Sequence, residues 1–371
     1  MKRLAWTLLP LLFAAGCMGS SGPDGGGTFC RFPTFVKRAQ PLITRDDGNC
    51  DAAQAATFGG ACNNFHWLGL IGDPFVRYKN GHYQMWFTSG ERTGPSTWIA
   101  GIAYSESTDG LLWRDPKDLQ RDTKLLVRPG TPGLDEFGVE TVSIVEDPAT
   151  GGDRLYYTGD RSESPDSVHV IALATTTDNQ TSVKRSTPVL IGTLPWEGPI
   201  DSGAGTIGGV LEPSVLREDG LWKLWYSAFG IEPGDTGYAR IGYATSTDGL
   251  AWTKYPTPVF KAGTEPFEVN GVSHTDVIRD PSGKGYHLFY AGIGNDDVLR
   301  IGHAFSEDGI HWERNPNNPV VAGTAGAWDS KMAAGPSALF VNGALRLYYM
   351  GSTAADFTAP RKFGLAEAIC Q

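Results

Sequence analysis

From about residue 70 onward, apolar and polar positions alternate in short runs broken by Gly, Asn, Asp and Pro, and no run sustains the spacing of an amphipathic helix. Such alternation makes strands with one buried face, because successive side chains point to opposite sides. Five runs carry paired aromatic or bulky residues: Tyr83–Phe87, Arg154–Tyr157, Trp222–Tyr226, Tyr286–Tyr290 and Leu345–Tyr349. Asn80-Gly81, Asp219-Gly220 and Asn342-Gly343 precede three of them, and such dipeptides between alternating runs are the strongest short-range hairpin signal. A third strand follows, as at Ile99–Tyr104, Arg240–Ala244 and Leu299–Ala304, and leads into a repeated turn. Ser107-Thr108-Asp109-Gly110-Leu111-Leu112-Trp113 recurs at Ser246–Trp252 and Ser306–Trp312. A degraded copy, Thr176-Thr177-Asp178-Asn179, places asparagine where the left-handed turn is otherwise filled by glycine.

One more segment precedes each unit: Ile71–Val76, Val139–Ile144, Val210–Val215, Val272–Val277 and Ala333–Ala338. Aligning them puts Asp73, Thr141, Glu212, His274 and Gly335 at one equivalent position, recurring every 61 to 71 residues, which is room for four antiparallel strands. The expected fold is all-β: a five-bladed β-propeller filling residues 28–371 as a single domain, with blades starting near 71, 139, 210, 272 and 333. A closed ring leaves no strand edge exposed. The fifth unit ends at its third strand, Gly364–Cys370, and residues 30–44 resemble the outer segment Trp312–Val321, so an N-terminal strand should complete the last blade. In that register Cys30 and Cys370 flank one hairpin turn, which predicts a Cys30–Cys370 bridge and, by subtraction, Cys50–Cys62. No two of these cysteines have zinc-ligand spacing.

The N-terminus changes the picture of where this domain works. Lys2-Arg3, the apolar run Leu4–Ala15 and Ala14-Ala15-Gly16-Cys17 resemble a bacterial lipoprotein signal, with residues 1–16 removed and Cys17 lipidated. The Gly- and Ser-rich residues 17–27 read as a flexible tether. The expectation is an exported monomer held to a bacterial membrane, periplasmic or at the cell surface, through its lipid anchor alone. The net charge of −10, with 19% charged residues, disfavours binding to a phosphate backbone, so no nucleic-acid partner is expected.

In a propeller the innermost strands begin around a central channel, so Asp73 and Glu212, two blades apart, would face each other across its mouth. Two carboxylates flanking a cleft suit glycoside hydrolysis, one protonating the leaving oxygen and the other activating water or attacking the sugar. The competing reading is that both cap strand entries. On these motifs the chain resembles the five-bladed propeller glycosidases, the superfamily of glycoside hydrolase family 43, over nearly all of residues 65–368 and the closing strand. The resemblance implies an Asp base opening blade one, matched by Asp73; a Glu acid in blade three, matched by Glu212; and a blade-four channel histidine, matched by His274. Blade two departs: Thr141 stands where an aspartate is expected, and Glu140, one residue earlier, replaces it only where the chain enters the strand irregularly.

The implied activity is hydrolysis of furanoside or pentoside linkages in a carbohydrate substrate, with Asp73, Glu212 and Glu140 catalytic and His274, Asp276, Thr141 and Trp67 binding substrate. No cofactor and no metal are required. Asp276 with Ser143, Ser214 and Ser337 could line the channel and hold a cation or ordered waters near His274. The alternative is a non-catalytic propeller that binds glycan or a surface partner, having lost the blade-two carboxylate.

Overall fold

The computed structural model describes residues 30–44, 71–92, 98–113, 125–162, 166–201, 206–230, 239–296, 298–354 and 361–369. The expectations for the signal, the tether, Cys17, Cys50, Cys62, Trp67 and Cys370 lie outside them. Two short strands come first, β1 (Thr34–Lys37) and β2 (Ile43–Thr44). The first unit is β3 (Ile71–Lys79), β4 (His82–Arg92) and β5 (Trp98–Ser107), and the second is β6 (Gly138–Glu146), β7 (Asp153–Asp160), β8 (Ser167–Thr176) and β9 (Val183–Lys184). The third holds β10 (Ile200–Asp201), β11 (Thr206–Glu218), β12 (Leu221–Phe229), β13 (Ala239–Ser246) and β14 (Thr253–Lys254). The fourth is β15 (Gly271–Arg279), β16 (Tyr286–Ile293), β17 (Leu299–Ser306) and β18 (Glu313–Arg314), and the fifth is β19 (Met332–Val341), β20 (Ala344–Ser352) and β21 (Lys362–Ile369). Among the described residues a single 3-10 turn, Pro195–Glu197, is the only helical element.

Each unit is an antiparallel meander whose turns have the expected chemistry. Asn80, Asp219, Asn342 and Asn179 all take positive φ. In the Asp-Gly turns, Asp109 Oδ1 accepts from Leu111 and Leu112 N–H while Ser107 Oγ accepts from Gly110 N–H, and the Asp248 and Asp308 turns repeat this. Aromatics then tie three of the units to another's turn: Tyr156 OH donates to Gly249 O, Trp225 Nε1 to Gly309 O, and Tyr348 OH to Gly110 O, so the fifth unit reaches back to the first.

The last unit takes its outer strand from the other side of the sequence. Lys37 pairs with Ala366 and Ile43 with Phe363, both antiparallel. A repeated buried ion pair marks the equivalence. Lys184, Lys254 and Arg314, each from the outer strand of its unit, meet the buried Asp135, Glu197 and Glu268 at 2.9, 2.5 and 2.7 Å. Tyr157, Tyr226 and Tyr290 donate to the same carboxylates. In the fifth unit Lys37 of β1 meets Asp329 at 2.6 Å and Tyr349 donates to it, so β1 fills the outer-strand role. Cys30 is buried and disulfide-bonded. Cys370 lies outside the described residues, and its pairing with Cys30 stays an expectation.

The innermost strands are joined to one another by side chains. Ser337 Oγ accepts from Val76 N–H, Ser143 Oγ from Val215 N–H, Ser214 Oγ from Val277 N–H and Asp276 Oδ2 from Ala338 N–H, at 2.7 to 2.9 Å. Four of the five inner strands present an N–H that their own meander leaves unpaired, and the neighbouring unit's side chain satisfies it. Phe75 holds the corresponding place in unit one.

Candidate active site

The five positions aligned from sequence are equivalent in space in a way that alternation alone does not anticipate. Every innermost strand breaks register there: between Gly72 and Phe75, Glu140 and Val142, Leu211 and Ser214, Ser273 and Asp276, and Ala334 and Ser337. Asp73, Thr141, Glu212, His274 and Gly335 all sit at positive φ, from 35° to 53°. Four of these are not glycine, and a β-branched threonine in this region is a genuine outlier, the kind of local strain that clusters at functional sites.

Hydroxyls from the second strands hold these bulges. Thr88 Oγ1 accepts from Thr141 N–H at 2.9 Å and donates to Asp73 Oδ2 at 3.1 Å. Thr158 Oγ1 accepts from Glu212 N–H at 2.8 Å and shares a 2.6 Å bond with Thr141 Oγ1. His274 bridges the carboxylates: its N–H donates to Glu212 Oε2 at 2.5 Å, Nδ1 lies 3.2 Å from Glu212 Oε1, and Nε2 lies 3.5 Å from Asp73 Oδ1. Asp73 Oδ1 is buried and accepts no hydrogen bond.

The irregular strand entry brings Glu140 into the same site. A cavity of about 380 Å³ is lined by Asp73, Glu140, Thr141, His169, Glu212 and His274, with Leu211, Phe229 and Met350 as an apolar wall. Burial first, then the nearby Asp160 and Asp73 carboxylates, push the Glu140 carboxyl up to about 8, so it carries a proton at neutral pH. His169 and Arg361 act on it in the opposite direction. Burial works against the charge of His169, but Asp160, whose Oδ1 is 2.6 Å from Nδ1, outweighs it and raises the imidazole above its ordinary value. Arg361 is buried beneath Gly72, where a Cβ would come within 2.9 Å of its Nη1.

Of the residues expected from sequence, Asp73, Glu140, Thr141, Glu212 and His274 therefore converge. Asp276 does not join the main cavity. It lines a narrow space of about 30 Å³, enough for one water, beside Asp73, Glu212 and His274. Burial pushes its carboxyl up to about 7, against the hydrogen bond from Ala338. Among the described residues no group of three or more His, Cys, Asp or Glu side chains is arranged to hold a metal. His169, Asp160 and Arg361 went unnoticed in the sequence. They lie at strand ends, away from the aligned bulge, and show only when the same cross-strand position is compared between units.

The fold is that of the propeller-like glycosidases of families 43, 62 and 130. The structures it resembles include the catalytic domain of a Coprinopsis cinerea family 62 α-L-arabinofuranosidase, with a TM-score of 0.60, 15% identity, and 92% of this chain and 98% of that one covered. A second is a family 130 protein from work on mannoside phosphorylases and hydrolases that target β-1,2 mannosidic linkages in Candida mannan, with a TM-score of 0.59, 14% identity, and coverage of 93% and 95%. In sequence, 111 residues are 32% identical to a 1,2-β-oligomannan phosphorylase of Thermoanaerobacter sp. (strain X514), spanning 28% of this chain and 36% of that enzyme. A further 28% identity over 265 residues, 65% of this chain and 75% of the relative, links it to an uncharacterized protein of Mycobacterium tuberculosis. No family model matches the sequence.

Proposed function

We propose that this chain is a glycoside hydrolase whose five units are the blades of one closed ring, exported and lipid-anchored, acting on furanoside or pentoside linkages. The observation that carries the reading is the meeting of Asp73, Glu140 and Glu212 in one cavity with one carboxyl held protonated. The resemblance in sequence assigns the acid to Glu212. The geometry favours Glu140 instead, because Glu140 holds the proton while both Glu212 oxygens are engaged by His274. Glu140 gives its proton to the glycosidic oxygen as the bond from that oxygen to the anomeric carbon breaks. Asp73, with Oδ1 unengaged by hydrogen bonds, either takes a proton from the attacking water or attacks the carbon itself. Glu212 orients His274 beside Asp73, and the apolar wall suits the less polar face of a sugar ring.

The test is sugar release from a panel of aryl furanosides and pentosides, with the anomer identified by NMR. Glu140→Gln and Asp73→Asn are each expected to lower kcat by about 10²- to 10⁴-fold. The sequence match to an oligomannan phosphorylase favours a second reading of the substrate, so the panel includes β-1,2-mannobiose with and without inorganic phosphate. Phosphate-dependent mannose 1-phosphate release would select that reading. Glycan binding by calorimetry with no turnover on any substrate would replace both with the non-catalytic alternative.

A further inference from the structure

The third strand of every unit starts opposite the end of the second, and three units place small or apolar pairs there: Gly90 with Ala100, Phe229 with Ala239, and Ile293 with Leu299. Unit two places Asp160 opposite His169. In unit five the register, continued one residue beyond Gly351 and Lys362, sets Ser352 opposite Arg361. The repeat thus carries basic side chains at this position in two units, and both act on the carboxyl of Glu140.

The chain makes room for the pair in unit two. Gly138 lies opposite Asp160 on β6, and a Cβ there would come within 2.4 Å of Asp160 Oδ2. Gly209 pairs in parallel with His169 at φ 106°, and a Cβ there would come within 2.3 Å of the His169 carbonyl. This parallel contact of β8 with β11 holds the edge of the cavity that His169 lines. A 2.6 Å bond between half-buried groups fixes the ring on its carboxylate, at the wall of the cavity that Glu140 also lines.

We propose that His169, anchored by Asp160, is a positioning residue that governs proton release from Glu140. The inference rests on the assignment of Glu140 as proton donor and adds the device that controls it. Four groups act on Glu140: the Asp160 and Asp73 carboxylates, the His169 imidazole, whose protonated form Asp160 favours, and the Arg361 guanidinium. When the proton leaves, the new carboxylate is opposed by the first two and stabilised by the second two. Removing His169 therefore makes release harder, and Asp160 acts both directly on Glu140 and through the imidazole it holds.

The experiment follows the side-chain carboxyl carbons of the full chain, labelled at glutamate, by NMR as pH is varied, with Glu140→Gln identifying the resonance. His169→Gln is expected to move the Glu140 midpoint upward by about one pH unit, and His169→Lys, which keeps a positive charge at this place, to return it towards the wild-type value. An unmoved or lowered midpoint in His169→Gln would overturn the proposal. Should His169→Gln fail to fold, His169→Asn decides alone: an upward shift supports the proposal, and a downward or absent shift rejects it. The readout does not need turnover. An upward shift with no hydrolysis on any substrate would leave the positioning role standing and remove the hydrolase reading, while hydrolysis with an unmoved midpoint would do the reverse.

Discussion

At the scale of residues, the site is made by one backbone irregularity repeated five times. A bulge lets two neighbouring residues leave the regular alternation, and this is how Glu140 and Thr141 both reach the cavity. The substituted position in the second unit thus keeps a carboxyl nearby, supplied from one residue earlier. Because catalysis in this reading needs the protonated form of Glu140, activity is present below its midpoint and lost as pH rises through about 8. The kcat/KM profile should show that basic limb, and Glu140→Gln should abolish it. A flat profile between pH 7 and 9 in the wild type would reject the assignment.

At the scale of elements, much of the architecture was legible because hairpin turns and aromatic strands are local signals. The five-fold equivalence of Asp73, Thr141, Glu212, His274 and Gly335 follows from simple alignment. The uses of polar residues between units were not legible. Period-two alternation indicates that Ser143, Ser214 and Ser337 share the face of Asp276, but not that each caps an N–H of the next strand. Nor does sequence join Lys37 to Asp329, which are separated by most of the chain. Two outcomes test these links by chemical denaturation. Ser214→Ala, which leaves the Val277 N–H unsatisfied, should cost about 1–3 kcal/mol. Lys37→Met, which strands the buried Asp329 carboxylate, should cost about 3–5 kcal/mol, as in other broken buried pairs. A loss below 1 kcal/mol for Lys37→Met would mean that β1 is not a working part of the last unit.

At the scale of the whole molecule, a buried polar chain ties the fourth unit to the N-terminal segment. Asp280 Oδ2 meets His287 Nε2 at 2.9 Å, His287 Nδ1 meets His303 Nε2 at 3.0 Å, and Asn315 beside His303 donates to Pro33 O at 2.8 Å. Burial holds both imidazoles below their ordinary values, Asp280 partly opposing this at His287, while the charge of His287 adds to it at His303. Depressed histidines contribute stability that is complete above the unfolded value of about 6.5 and lost as pH falls below it. Glu140 and Asp276, with raised values, have the opposite sign, gaining stability as pH falls from about 8 and about 7. The comparison that isolates the histidines is therefore with His303→Gln: the wild-type advantage in thermal midpoint should shrink from pH 7 to pH 5. A constant difference would show that the pair does not titrate on unfolding.

The pairing of β1 and β2 with β21 has a consequence in time. Residues 34–44 leave the ribosome before any of the five meanders and find their partner strand only after residues 362–369 have followed. Until then β1 and β2 are strands without a neighbour, and the fifth meander is a sheet without its rim. Four units can form in order of synthesis, whereas the last contact spans the longest separation in the fold and is the slowest to form by chance encounter. The birth order of this chain thus leaves its first strand waiting for its last.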